Sequence, residues 1–210
     1  MVRVKVCGIT NLEDALVAAT AGADALGFNF WPRSPRFVEP RRAAAIIARL
    51  PPFVTSVGVF VNEKRSRVES LAGHVGLAAV QLHGDESPDD AKALAAASLL
   101  VLKAFRVGPG FQPQELRRYR GVAAFLLDAE VKGQRGGTGR TFDWKQARVA
   151  GRYGRIMLAG GLTVENVAAA ICQAQPYGVD VCTGVEKTPG QKHHERLRAF
   201  IQRAKGTVVP

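Results

Sequence analysis

Cysteine is scarce, with three in 210 residues: Cys7, Cys172 and Cys182. The number is odd and no two stand as Cys-x-x-Cys, which argues against a disulfide framework and a zinc site and leaves free thiols. Long apolar runs are also missing. The longest, around Ala93 to Leu102, is broken by Ser98, so no transmembrane span is expected. The opening Met1-Val2-Arg3-Val4-Lys5-Val6 alternates charge with valine and lacks the uninterrupted apolar region of a secretion signal. It reads as a strand in a cytoplasmic protein. No linker or composition break divides the chain, which predicts one domain over residues 1–210. Acidic residues are the last shortage: 18 Asp and Glu stand against 29 Lys and Arg, a formal net charge of +11. That surplus suits an anionic partner, whether a phosphorylated metabolite, a nucleic acid or an acidic surface. The basic residues are scattered, with short clusters only at Arg41-Arg42 and Arg117-Arg118, unlike the concentrated face of a nucleic-acid reader.

What is present is a repeating order of short β-branched run, Gly- or Pro-containing turn and alanine-rich helical stretch. The runs are 2–7, 25–28, 56–61, 79–82, 100–105, 124–128, 156–159 and 179–182, with a final helix near 192–204. Strands alternating with helices imply a parallel sheet. Eight such units in this length predict a compact (β/α)8 barrel. The rival is a doubly wound open sheet, but no Gly-x-Gly-x-x-Gly opens a helix after the first strand. A faint internal echo, Cys7-Gly8-Ile9-Thr10 then Gly22-Ala23-Asp24 against Gly160-Gly161-Leu162-Thr163 then Gly178-Val179-Asp180, is weak evidence of barrel repetition and reads first as ordinary turn chemistry, a glycine and a Thr or Asn cap at each βα turn.

Barrel enzymes build their sites at the carboxyl ends of the strands. That criterion selects Cys7, the Asn29–Arg36 loop, Gln81 with His83, Asp128, the Gly160-Gly161 turn and Asp180 through Gly184. Lys5 shares strand parity with Cys7, so an ammonium near the thiol would favour a thiolate; an inert buried cysteine is the alternative. Asp128 ends the apolar run Phe125-Leu126-Leu127, surroundings that suit a proton donor, or else a capping aspartate. Glycine turns after the seventh and eighth strands are where barrels bind phosphate. In Trp31-Pro32-Arg33-Ser34-Pro35-Arg36, a guanidinium could fork a carboxylate or simply be solvated. His193-His194 reads as a solvated helix start, and His83 alone as a structural histidine.

These segments, in order along nearly the whole chain, resemble the phosphoribosylanthranilate isomerase family of tryptophan biosynthesis. The resemblance is carried by Lys5-Val6-Cys7-Gly8-Ile9-Thr10, by Gly22-Ala23-Asp24-Ala25-Leu26-Gly27-Phe28 with Ser34-Pro35-Arg36, and by Val57-Gly58-Val59-Phe60-Val61-Asn62. It continues in Val80-Gln81-Leu82-His83-Gly84-Asp85-Glu86, Leu127-Asp128-Ala129, Gly136-Gly137-Thr138-Gly139 with Phe142-Asp143-Trp144, Leu158-Ala159-Gly160-Gly161-Leu162 with Asn166, and Gly184-Val185-Glu186 with Pro189-Gly190. It implies an Amadori rearrangement of N-(5'-phosphoribosyl)anthranilate without cofactor or metal, on a monomer or homodimer. It also implies that Cys7 is the general base, Asp128 the general acid and Arg36 the partner of the anthranilate carboxylate, with Gly160-Gly161 and Cys182-Thr183-Gly184 cradling the phosphate. Lys5, Gln81, His83 and Asp180 remain further pocket candidates.

The chain departs from the family where two serines are usual, carrying Cys182 and Thr183, and where an aspartate commonly follows Gly-x-Lys, carrying His193. Two other readings remain. One is another phosphosugar barrel isomerase, such as the analogous enzyme of histidine biosynthesis or one serving both pathways. The other is a basic nucleic-acid partner built on a barrel, which would leave Cys7 and Asp128 without roles.

Overall fold

The computed structural model describes residues 1–129 and 142–208; the Gly136-Gly137-Thr138-Gly139 stretch lies outside them. Eight parallel strands close on themselves: β1 (Arg3–Cys7), β2 (Ala25–Asn29), β3 (Thr55–Phe60), β4 (Ala79–Leu82), β5 (Leu100–Val107), β6 (Ala124–Ala129), β7 (Ile156–Leu158) and β8 (Gly178–Val181). Closure is made by β8 on β1, in register from Arg3 opposite Gly178 to Val6 opposite Val181. The expected barrel is therefore observed, with strand ends within a residue or two of those read from the sequence.

Alternation along the strands sorts the core into two layers. One parity (Val4, Val6, Leu26, Phe28, Val80, Leu127, Leu158, Val179, Val181) packs outward beneath the helices. The other points into the barrel, where Ala104, Ala124, Leu126, Met157 and Ala159 form a small separate cluster. Small inward residues leave room above them, and that is where the polar groups gather.

The helices are α1 (Leu12–Thr20), α2 (Pro40–Ile47), α3 (Arg65–Val75), α4 (Pro88–Ala96), α5 (Lys145–Ala150), α6 (Val167–Ala174) and α7 (His194–Gly206). Local chemistry starts several of them: Asn11 accepts from Asp14 N at 2.8 Å, and Ser87 with Asp90 forms a reciprocal capping box. The alternation breaks once. Between β5 and β6 runs only a 3-10 segment, Pro113–Arg118, because Gly108-Pro109-Gly110 and Pro113 consume the helix-forming length. A short hairpin of β9 (Glu186–Thr188) and β10 (Gln191–Lys192) follows β8. Among the described residues no helix is long and apolar enough to cross a membrane.

Two expectations change. The internal echo does not survive, since Asp24 precedes β2 and bonds Arg3, Val4 N and Lys205 at the barrel's foot, whereas Asp180 lies inside β8. Nor is the start of α7 merely solvated. His194 Nε2 lies 2.8 Å from Asp14 Oδ1, tying α7 to α1, and His193 is the N-cap, accepting from Arg196 N at a long 3.5 Å. A carboxylate caps better than an imidazole and suits the positive helix end, so His193→Asp is expected to stabilise by about 0.5–1 kcal/mol. A rise in thermal midpoint of about 1–4 °C would register it.

Candidate active site

The cleft at the carboxyl ends of the strands collects nearly every residue selected from the sequence. Cys7 from β1, Arg36 from the loop after β2, and Gln81 and His83 at the end of β4 line it. Asp128 from β6, the Gly160-Gly161 turn, and Asp180, Cys182, Thr183 and Gly184 from the β8 end complete it. Lys5 is placed just beneath, 1% exposed inside the barrel.

One side of the cleft is built around Cys7. Lys5 Nζ donates to Asp180 Oδ1 at 2.8 Å, the two residues being direct partners in the β1–β8 register. Gly27 makes their company with Cys7 possible: a Cβ there would stand 2.9 Å from Cys7 Sγ and 3.1 Å from Lys5 Nζ. Burial opposes the charge on Lys5, but the attraction of Asp180 and of Cys7 outweighs it and keeps the ammonium above the usual lysine range. One cation serves two acids, and they divide unequally. A hydrogen bond from Cys182 holds Cys7 well below the usual thiol range against burial, with help from Lys5, Lys192 and His83. Burial pushes Asp180 up to about 7, against the pull of Lys5. The thiolate is thus the favoured anion beside Lys5.

Asp128 also lines the cleft, 4% exposed at the end of β6. His83 Nε2 is 3.5 Å from Asp128 Oδ2, and its Nδ1 is 2.8 Å from Gln81 Nε2. With Gln81 as the donor, Nδ1 accepts and the ring proton sits on Nε2, facing Asp128. Both Gln81 Oε1 and His83 Nε2 are buried without a hydrogen-bond partner, polar atoms aimed into the cleft that a polar ligand would satisfy. Gly160 brings the β7 loop against Asp128. Its φ is +81°, and a Cβ would meet Ala129 N at 2.5 Å and Asp128 Oδ1 at 2.9 Å, so only glycine fits.

Across the mouth, the glycine turn after β7 and the turn after β8 touch directly, for a Cβ on Gly184 would collide with Leu162 O. Asn166 braces the first turn, accepting from Thr163 N at 2.8 Å and donating to Gly161 O at 2.9 Å. Close backbone approach of this kind suits phosphate. Cys182 differs from its neighbours there, because its sulfur lies beside Gly8 and 3.8 Å from Glu186 Oε1.

Arg36 enters the cleft, whereas Arg33 stays outside over the Trp31 ring at 5.5 Å. Glu186 forks Arg36 through Nε at 2.9 Å and Nη2 at 2.7 Å, leaving Nη1 outside the fork. Burial opposes ionisation of Glu186, but Arg36 and Lys192 prevail and hold it below the usual carboxylate range. Sequence reasoning missed Lys192 and the role of Glu186. Lys192 Nζ donates to Cys7 O at 2.6 Å and to Glu186 Oε1 at 3.1 Å, and its N–H bonds Asp14. The signal was available only as a lysine in a polar hairpin. Among the described residues no cluster of His, Cys, Asp or Glu could hold a metal.

Residues 4–203 match the family model for N-(5'-phosphoribosyl)anthranilate isomerase. The chain is 52% identical to the protein of that name from Pelobacter propionicus, over 99% of this chain and 97% of the relative. It superposes with a TM-score of 0.88 at 43% identity on a phosphoribosyl anthranilate isomerase in complex with reduced 1-(o-carboxyphenylamino)-1-deoxyribulose 5-phosphate, covering 98% of this chain and 100% of the other. A structure of monomers generated from the dimeric Thermotoga maritima enzyme matches at TM-score 0.85 and 42% identity, again over 98% and 100%. A barrel with a thiol and a carboxyl lining one cleft beside glycine turns, matched at this identity over nearly its full length, belongs to the N-(5'-phosphoribosyl)anthranilate isomerase family.

Proposed function

We propose that this chain catalyses the Amadori rearrangement of N-(5'-phosphoribosyl)anthranilate to 1-(2-carboxyphenylamino)-1-deoxyribulose 5-phosphate in cytoplasmic tryptophan biosynthesis, as a monomer or homodimer whose single barrel domain carries the whole activity. The observation that carries this reading is the convergence of Cys7 and Asp128 on one cleft at the carboxyl ends of the strands. Asp128 protonates the furanose ring oxygen, and the ring opens to a Schiff base. Cys7, as thiolate, takes the C2 proton to give an enolamine, which tautomerises to the ketone. Both steps are proton transfers on the substrate itself and call for no cofactor or metal.

The ends of the cleft orient the substrate. Gly160, Gly161, Thr183 and Gly184 face the phosphate through their backbone, and His83 with Gln81 stands beside Asp128 to meet the sugar. Arg36 takes the anthranilate carboxylate with the guanidinium edge that Glu186 leaves uncovered. Loss of a charged hydrogen-bonding partner predicts that Arg36→Ala raises KM by about 10- to 100-fold in steady-state turnover.

The test follows the loss of anthranilate fluorescence when the purified chain meets freshly generated substrate. Turnover supports the reading. A folded chain without turnover hands the site to another phosphosugar isomerisation, and the histidine-pathway substrate is then the one to try.

A further inference from the structure

We propose that Lys192 and Glu186 are positioning residues that fix the Arg36 guanidinium relative to Cys7, so that a bound anthranilate carboxylate lays the C2 proton of the sugar on the thiolate. This rests on the reading of Cys7 as the base and Arg36 as the carboxylate partner, and adds to it two residues that touch no substrate.

The backbone brings the pair together in the hairpin after β8. Glu186 and Lys192 stand opposite one another where β9 meets β10, and their side chains are 4% and 0% exposed, behind the cleft rather than on its lining. The hairpin is itself tied down. Lys192 N donates to Asp14 Oδ2 on α1 at 2.9 Å, and at the turn Thr10 Oγ1 donates to Gly190 O.

From this anchorage one line of hydrogen bonds joins the two functional groups. Lys192 Nζ donates to Cys7 O at 2.6 Å and to Glu186 Oε1 at 3.1 Å, and Glu186 accepts from Arg36 Nε at 2.9 Å and Nη2 at 2.7 Å. Gly190 N donates to the same Oε1 at 3.1 Å, which keeps the carboxylate from swinging with the arginine. The arginine stem lies against the backbone beside the thiol, for a Cβ on Gly8 would stand 2.7 Å from Arg36 Cδ. Without these bonds a long side chain on a loop would follow the substrate's carboxylate instead of directing it.

Energetics favours a positional over a stabilising role. Burying an ammonium and a carboxylate costs each its hydration, and apolar side chains of the same volume would hold the hairpin at least as well. What apolar groups do not supply is direction: a forked carboxylate sets the plane and the angle of the guanidinium. The ring carboxylate of the substrate is remote from the reacting carbon, so its binding speeds the reaction only when it is converted into alignment of C2 with the sulfur.

The experiment compares kcat on N-(5'-phosphoribosyl)anthranilate with kcat on N-(5'-phosphoribosyl)aniline, which lacks the carboxylate. It uses the unaltered chain, Lys192→Met, and Lys192→Met combined with Glu186→Leu, each checked for native circular dichroism. Any effect of Lys192 on Cys7 itself is common to both substrates and cancels in the ratio. The ratio is expected to fall by about tenfold in Lys192→Met, the result of a small misplacement, and by at least as much in the double variant. The double variant leaves neither member of the pair behind and carries the test should Lys192→Met fail to fold. A pair that only holds the hairpin together predicts the reverse, a ratio that recovers with the melting temperature in the double variant. An unchanged ratio in the folded variants, or a rise in KM alone, overturns the proposal. If Arg36→Ala leaves KM unmoved, the reading of Arg36 fails and the proposal falls with it; if that KM rises while the ratio holds in the hairpin variants, only the positioning role is lost.

Discussion

Cys7→Ala and Asp128→Ala each lose turnover by about 10²- to 10⁴-fold, the range for removing one positioned acid or base. The two losses have different origins. Without Cys7, ring opening still proceeds but no group stands ready to take the C2 proton; without Asp128, the ring oxygen leaves unprotonated. Asp128→Asn separates geometry from proton supply, since the amide fills the same 4%-exposed position beside His83 yet has no acidic proton. It is expected to bind a reduced product analogue within about threefold of the unaltered chain while losing turnover as Asp128→Ala does. The pH dependence has a definite sign. A base titrates off as pH falls through its own value, and Cys7 is held well below the ordinary thiol range. The acid limb of kcat/KM therefore lies well below the ordinary thiol value, and turnover falls as pH drops through it. Near-full activity of either alanine variant removes that residue from the mechanism, whatever the other does.

The barrel and its strand-end site were legible because each leaves a local pattern. β-branched runs bounded by glycine mark strands, and a polar residue ending an apolar strand, as in Phe125-Leu126-Leu127-Asp128, marks the catalytic face. The Lys5–Cys7 pairing needed only strand parity. Legibility failed where partners come from distant chain. Lys192 meets Cys7 O across 185 positions, and Glu186 reaches Arg36 across 150, contacts that a hairpin sequence does not announce. Asp180 lines the cleft as its place at the strand end suggested, but its hydrogen bond to Lys5, its partner opposite in the ladder, was not written in the local sequence. The absent fifth helix was readable in principle, because Gly108-Pro109-Gly110 and Pro113 argue against one.

Asp180→Ala is expected to destabilise the fold by about 1–3 kcal/mol, the cost of leaving the buried Lys5 ammonium one hydrogen-bond partner short beside the Cys7 thiolate. Lys5 and Asp180 are 1% and 8% exposed, too deep for water to take the place of the lost partner. For a chain of this size that loss lowers the thermal midpoint by about 2–12 °C. The pair itself is not what makes the barrel stable. Replacing both members with apolar groups of similar volume, Lys5→Met with Asp180→Leu, is expected to recover most of the loss, because neither charge then has to be dehydrated. The same double variant loses catalysis, since Cys7 forfeits the ammonium beside it. pH provides a second check. Asp180 binds a proton up to about pH 7 in the fold, against an ordinary value of 3.8, so its contribution to stability is complete below that ordinary value and fades as pH rises through 7. The double variant should lack this decline when urea midpoints are compared from pH 5 to pH 8. If it melts as low as Asp180→Ala, the pair is structural. If it melts high and is inactive, the charges inside the barrel are there for the thiolate, and stability is what the chain gives up to keep them.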